Sequence, residues 1–189
     1  MSKIISFSLI IIIGFALSLN AQKKNEIVFE KPEIPVDEST KKISYTKVVE
    51  ATGTKDELYK KAFTWFNNYY KNPSEVIREK DPTAGKILGK GRIKILNPAD
   101  KKGVQTMKGI VLYTLTCELK EGRFKYTVTD VNLKATSFYP CEKWLDTESQ
   151  TYSQVYNFFL KQVDEEIKKT TENLVKAMTK TAENKPEEW

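Results

Sequence analysis

The segment Gly85-Lys86-Ile87-Leu88-Gly89-Lys90-Gly91 holds the residue types of a phosphate loop, glycines that bring backbone amides close to a ligand and lysines that meet its charge. The spacing removes that chemistry. Three residues rather than four separate Gly85 from Gly89, and Gly91 stands where a metal-binding Ser or Thr belongs. The chain also runs on as a strand, where a phosphate loop requires a helix N-terminus.

As a strand over Lys86 to Leu96, the segment has two faces. Ile87, Gly89, Gly91, Ile93 and Ile95 point one way, toward a core. Gly89 and Gly91 then either let the bulky Trp65 and Phe66 lie close to the sheet or leave a small cavity for an apolar ligand. Lys86, Lys90, Arg92 and Lys94 point the other way. With Arg123 and Lys125 from a later strand, and with Leu88, Ile110 and Leu112 between them, they form either a platform for an anionic, partly apolar partner or an ordinary lysine-rich exposed face.

Other chemistry is thin. The chain has no histidine, the commonest general base near neutral pH and the commonest metal ligand. Glu79, Asp81 and Asp130 have no spacing that would bring them together as an acid and base pair. No metal site, cofactor or catalytic residue is expected, and the chain reads as a non-enzyme. Glu121-Gly122 reads as a tight turn that sets Cys117 opposite Tyr126, with Cys141 lying 15 residues further along. At ~3.3 Å per residue that is roughly 50 Å, against the ~7 Å a disulfide tolerates. Cys117 and Cys141 are therefore expected to be unpaired, unless the chain after Ser137 folds back sharply.

These residues must be positioned by a small set of elements. Ile43, Tyr45 and Val49 alternate with polar residues as a first strand. Thr54-Lys55-Asp56-Glu57 is a capping box, and Leu58, Ala62, Trp65, Phe66 and Tyr69 follow it as one face of a helix. Tyr59, Phe63 and Tyr70 add a second stripe, so the helix needs two neighbours, and Asn72-Pro73 ends it. Glu75 to Asp81 and Lys86 to Leu96 read as the next two strands, Met107 to Lys120 and Arg123 to Ser137 as a hairpin. A bulge near Thr129-Asp130 would keep Val131 and Leu133 on the core side. Thr147-Glu148-Ser149-Gln150 reads as a second capping box that opens a helix of ~35 residues, ~50 Å long. Its distal apolar positions Leu174, Val175 and Met178 either form a seam for a partner or fold back over the domain.

Strand, helix, four antiparallel strands, helix is the order of one repeat of the TATA-binding-protein fold. Ile43-Ser44-Tyr45-Thr46-Lys47-Val48-Val49-Glu50, Thr54 to Tyr59 with Trp65-Phe66, and Ala84-Gly85-Lys86-Ile87-Leu88-Gly89-Lys90-Gly91 resemble a bacterial family of unknown function that is assigned a TBP-like fold. The resemblance covers Ile43 to Ser137. It implies an α+β domain, a five-stranded antiparallel sheet with two helices on one face and a long C-terminal helix, in a signal-bearing envelope protein without assigned catalytic residues. It does not imply DNA binding, since function belongs to the site and not to the fold.

Residues 1–21 read as a signal peptide, with Lys3 before an uncharged run from Ile4 to Leu17 and Ala21 ahead of the cut. The apolar run is short of the ~20 residues that span a bilayer, so no stable transmembrane anchor is expected after cleavage. Export, to the periplasm or beyond, is the expected destination. Loss of Lys3 would lower the net charge from +6 by one, to +5. A mildly basic exported protein meets little nucleic acid, so the expected partner is an anionic envelope component or another protein. Residues 22–42 read as an extended polar leader with Pro32 and Pro35, residues 43–183 as one domain, and residues 184–189 as a tail.

Overall fold

The computed structural model describes residues 28–180. The signal peptide expected over residues 1–21 and the tail over 184–189 lie outside the described residues. Ten elements follow in order: β1 (Tyr45–Glu50), α1 (Lys55–Tyr69), the single turn α2 (Pro73–Val76), β2 (Ile77–Asp81), β3 (Lys86–Leu96), β4 (Met107–Lys120), β5 (Arg123–Lys134), β6 (Phe138–Pro140), a 3₁₀ turn (Cys141–Trp144) and α3 (Val155–Thr179). The sheet is antiparallel in the order β1-β5-β4-β3-β2, and β6 adds a sixth strand on β5 beyond the end of β1. The architecture is the expected α+β, TBP-like one, with β6 as the addition.

β1 and β2 are the two edges of the main path, so α1 must carry the chain across the sheet. Four strand spacings take roughly 19 Å and a 15-residue helix about 22 Å, so the helix length matches the crossing. Its start is fixed by the capping box. The Thr54 hydroxyl accepts from the Glu57 amide at 3.3 Å, and the Glu57 carboxylate accepts from the Thr54 amide at 2.8 Å. Thr54→Ala is expected to lower stability by about 1 kcal/mol, read as a shift of the urea midpoint with an unchanged slope.

Pro73 does more than stop α1. It occupies the first position of α2, where its missing amide costs nothing, so residues 73–76 coil and β2 begins at Ile77 rather than at Glu75. At the far hairpin Cys117 does stand opposite Tyr126, and β5 bulges at Asp130, which adopts a φ of 54°. The bulge keeps Val131 fully buried on the helix side.

The last helix departs most from the sequence reading. Thr147 to Gln150 forms turns, with the Asp146 carboxylate accepting from the Glu148 amide at 3.1 Å, and α3 starts only at Val155. Its 25 residues run about 37 Å, not 50. Trp144 stacks on Tyr156 at 5.8 Å and so anchors the turn region to the first turn of α3. Distally, Leu174 and Met178 are fully buried against the domain, so the apolar seam is used within this chain.

α3 packs beside α1 on the same face of the sheet. Trp65 Nε1 donates to Asn173 Oδ1 at 2.8 Å, Tyr69 and Thr170 share a hydroxyl bond of 2.9 Å, and Tyr45 Oη on β1 donates to the buried Asp164 at 2.9 Å. Lys168 closes that last site with an ion pair of 2.7 Å. The described part of the leader, residues 28–42, is extended but docked. Asn157 Nδ2 donates to the Phe29 carbonyl at 3.0 Å, Phe29 lies 5.0 Å from Phe158, and Ile34 packs on the core.

Candidate binding surface

The two long helices lie on one side, and among the described residues the other side of the sheet carries no helix. Strand alternation decides what stands there. On β3 the outward positions are Lys86, Leu88, Lys90, Arg92 and Lys94, and cross-strand pairing sets each in a row. Lys86 pairs with Glu118, and Glu118 with Lys125. Lys94 pairs with Ile110, and Ile110 with Lys134.

The six cations singled out in the sequence therefore do not form one patch. Ten residues of β4 separate the partner of Lys94 from the partner of Arg123, a distance of about 33 Å. At the Arg123 end the charges alternate across the strands. Lys125 meets Glu118 at 3.1 Å and Lys86 meets Glu79 at 3.1 Å, which neutralises that row. A shallow hollow of about 310 Å³ opens beside it, where Arg123 and Lys120 stand near Val48. At the other end only Arg92 is paired, to Glu75 at 3.3 Å, while Lys90 and Lys94 are exposed and, among the described residues, in no ion pair. Arg123 is likewise in none.

Between the two ends lies a band of hydroxyls. Thr46, Thr127 and Thr116 share one row across β1, β5 and β4, and Thr46 donates to Thr127 at 3.3 Å. Thr129 and Thr114 make the next row. The cationic half beyond them includes Lys134, which the sequence reading left out because the phase of β5 slips at Asp130. Carrying the alternation through that bulge would have found it.

The glycines of β3 face the helices, and rings fill the space they leave. A Cβ on Gly89 would stand 2.6 Å from Phe66 Cε1, and one on Gly91 only 2.1 Å from Tyr113 Cζ. Phe66 is thus the ring that Gly89 admits, but Trp65 turns to α3, and the ring over Gly91 is Tyr113. At Gly89 and Gly91 the space beside the backbone is thus occupied by the Phe66 and Tyr113 rings.

The carboxylates stay apart. Glu79 binds Lys86, Asp81 accepts from the Ala84 amide at 2.8 Å in its turn, and Asp130 pairs with Lys42 at 3.1 Å. The chain does fold back after Ser137, since Asn132 faces Pro140, yet this sets Cys141 about five residues of β5 away from the row of Cys117, roughly 16 Å. Both are buried free thiols, and burial pushes each well above its ordinary pKa. Among the described residues no group of three or more Cys, Asp and Glu could hold a metal ion, and no helix is long and apolar enough to cross a membrane.

Comparison with known proteins places this arrangement. The family described as "Domain of unknown function (DUF4468) with TBP-like fold" matches residues 45–134. No curated protein matches the chain. A DUF4468 family protein from Bacteroides ovatus, solved by crystallography, is similar with a TM-score of 0.57 at 15% identity, over 78% of this chain and 93% of that one. A TBP-like protein from Parabacteroides distasonis gives a TM-score of 0.52 at 13% identity, over 75% and 96%. At such identities the likeness is one of fold.

Proposed function

Since residues 45–134 match the model of DUF4468, a domain of unknown function with a TBP-like fold, we propose that the chain is an exported, non-catalytic binding module whose open sheet face contacts an anionic component of the cell envelope. The observation that carries this reading is the charge on one half of that face. Lys90 and Lys94 stand exposed without an ion pair among the described residues, Arg92 has a single exposed partner, and Lys134 joins them across β4. Fields of like charge on an uncovered surface draw polyanions and weaken as salt rises. The hydroxyl band beside them offers donors and acceptors to a polar ligand. Export rests on the signal-like residues 1–21.

Retention on an immobilised anionic polymer tests the reading. Reversing charge at Lys90, Arg92 and Lys94 is expected to abolish retention at ~0.15 M salt, where exposed charges act over about 8 Å. Reversing Lys60, Lys71 and Lys161, exposed on the helix side, makes the same change in net charge and is expected to leave most of the retention. Equal losses in the two triple variants would show a net-charge effect and remove the face as the site.

A further inference from the structure

Large apolar side chains that stay in water are few among the described residues, and three of the six stand at one end of the sheet. Val104 is 55% exposed in the β3–β4 loop, Met107 53% at the start of β4, and Phe138 67% at the start of β6. Pairing brings them together. Met107 sits opposite Leu96, and Phe138 opposite Lys134, which itself faces Ile110 and through it Lys94. Phe138, Lys134, Ile110 and Lys94 thus form one outward row, about 14 Å wide at ~4.8 Å per strand. The loop with Val104 forms the tip beyond it.

The charge around these side chains has one sign. From Lys94 to Lys108 and from Asn132 to Pro140 the chain holds Lys94, Lys101, Lys102, Lys108 and Lys134 against a single carboxylate, Asp100. Asp100 is turned inward to its own loop, accepting from the Lys102 amide at 2.8 Å and the Val104 amide at 2.9 Å. Lys108 is drawn to the helix side, its ammonium 5.5 Å from the Phe159 ring. The other four lysines are exposed, Lys94 and Lys134 in the row of Phe138 and Lys101 and Lys102 in the loop of Val104.

We propose that this end of the sheet docks on an anionic lipid bilayer, with Val104, Met107 and Phe138 entering the headgroup boundary and Lys94, Lys101, Lys102 and Lys134 meeting lipid phosphates. This rests on the reading of the open face as a contact surface and names its partner. A soluble polyanion would reward the lysines but leave the three apolar tips in water. A protein partner would favour one contiguous apolar patch, whereas these tips are spaced side chains set among cations, the pattern that an interface of acyl chains and phosphates accommodates.

Vesicle sedimentation tests it, using the protein purified as its host processes it. The lipids are phosphatidylcholine mixed with phosphatidylglycerol, and phosphatidylcholine alone. Binding to the anionic vesicles is expected, with little to the neutral ones. Val104→Ser, Met107→Ser and Phe138→Ser together keep every charge and are expected to lower partitioning at least about tenfold, given what each buried methylene is worth. All three side chains are exposed, so an unchanged thermal midpoint confirms the fold. In Phe138→Trp, emission should shift to the blue on anionic vesicles and be quenched by brominated acyl chains. Vesicle binding unaltered by the serine variant, or equal binding to neutral vesicles, overturns the inference. Retention on the anionic polymer without vesicle binding overturns it while sparing the polyanion reading, and loss of both overturns both.

Discussion

Gly91→Ala is expected to destabilise the domain by about 3 kcal/mol or more, the upper range for overpacking a filled core. The new methyl would stand 2.1 Å from Cζ and 2.3 Å from the hydroxyl oxygen of Tyr113. That ring cannot step aside cheaply. It is 3% exposed and its hydroxyl shares a bond of 3.0 Å with Tyr70. Backbone geometry pulls the other way, because Gly91 is ordinary strand with no positive φ, so alanine restricts the unfolded chain and by itself would gain about 0.4–1 kcal/mol. The sign of the change therefore distinguishes filled packing from an open hollow. Gly89→Ala, whose methyl would approach Phe66 Cε1 at 2.6 Å, is expected to lose less. Tyr113→Leu removes the clashing atoms, so the double variant with Gly91→Ala should be more stable than the sum of the singles by about 2 kcal/mol. Urea unfolding of the four proteins gives the cycle. A stabilised Gly91→Ala would restore the cavity reading.

How far this packing could be read from sequence follows from where each piece of information sits. Strand faces are local. The alternation of β3 and the turn at Gly122, with its φ of 70°, are enough to set Cys117 against Tyr126. The start of α1 is local too, since both halves of its capping box lie within four residues. The ring over Gly91 is not local. Sequence says that a glycine faces the core but not which of several aromatics arrives there, and Tyr113 reaches it from the neighbouring strand. The start of α3 misleads for a related reason. Thr147 to Gln150 has the residue types of a cap, but Trp144, stacked on Tyr156, fixes the turn and delays the helix to Val155. The leader shows no periodicity, and single residues such as Phe29 and Ile34 dock it.

The candidate surface divides in the same way. That Lys86, Lys90, Arg92 and Lys94 share a face was legible from alternation alone. That Lys86 and Lys125 are neutralised was not, because Glu79 and Glu118 become their partners only through the register of two strand pairs, β2–β3 and β4–β5. Pairing also moved the point of interest along β3, toward Lys94, Lys134 and the apolar tips. Glu75, which holds Arg92, sits on α2, and a strand reading of that segment hides the contact.

The burial that closes the core also makes it sensitive to base. Burial raises the pKa of the Cys117 and Cys141 thiols above their ordinary 9.0. Burial likewise raises the phenols of Tyr70, Tyr113 and Tyr45 above 10.0; Tyr113 adds to the rise at Tyr70 and Asp164 to that at Tyr45, while at Tyr113 the hydrogen bond to Tyr70 offsets part of it. For all five the folded state holds its proton where the unfolded chain gives it up. Stability is then complete below the unfolded values and falls as pH rises through them, by up to ~1.4 kcal/mol per pH unit for each group. Two thiols past pH 9 contribute about 3 kcal/mol per unit, and the three phenols add to this past pH 10. A domain of ordinary stability, about 5–15 kcal/mol, is therefore expected to lose much of it above about pH 10 and to unfold in stronger base. No histidine titrates in this chain, so between about pH 6 and 8 the free energy should stay nearly flat. Urea unfolding at a series of pH values gives the slope, and near-ultraviolet absorbance of tyrosinate should show the buried phenols ionising together with unfolding. Replacing both cysteines with alanine should move the onset of the fall from about pH 9 to about pH 10, whatever it does to stability at neutral pH. A free energy that stays level through pH 10.5 would mean that these groups exchange with solvent in the folded state, and that the sheet and its helices open far more readily than their packing implies.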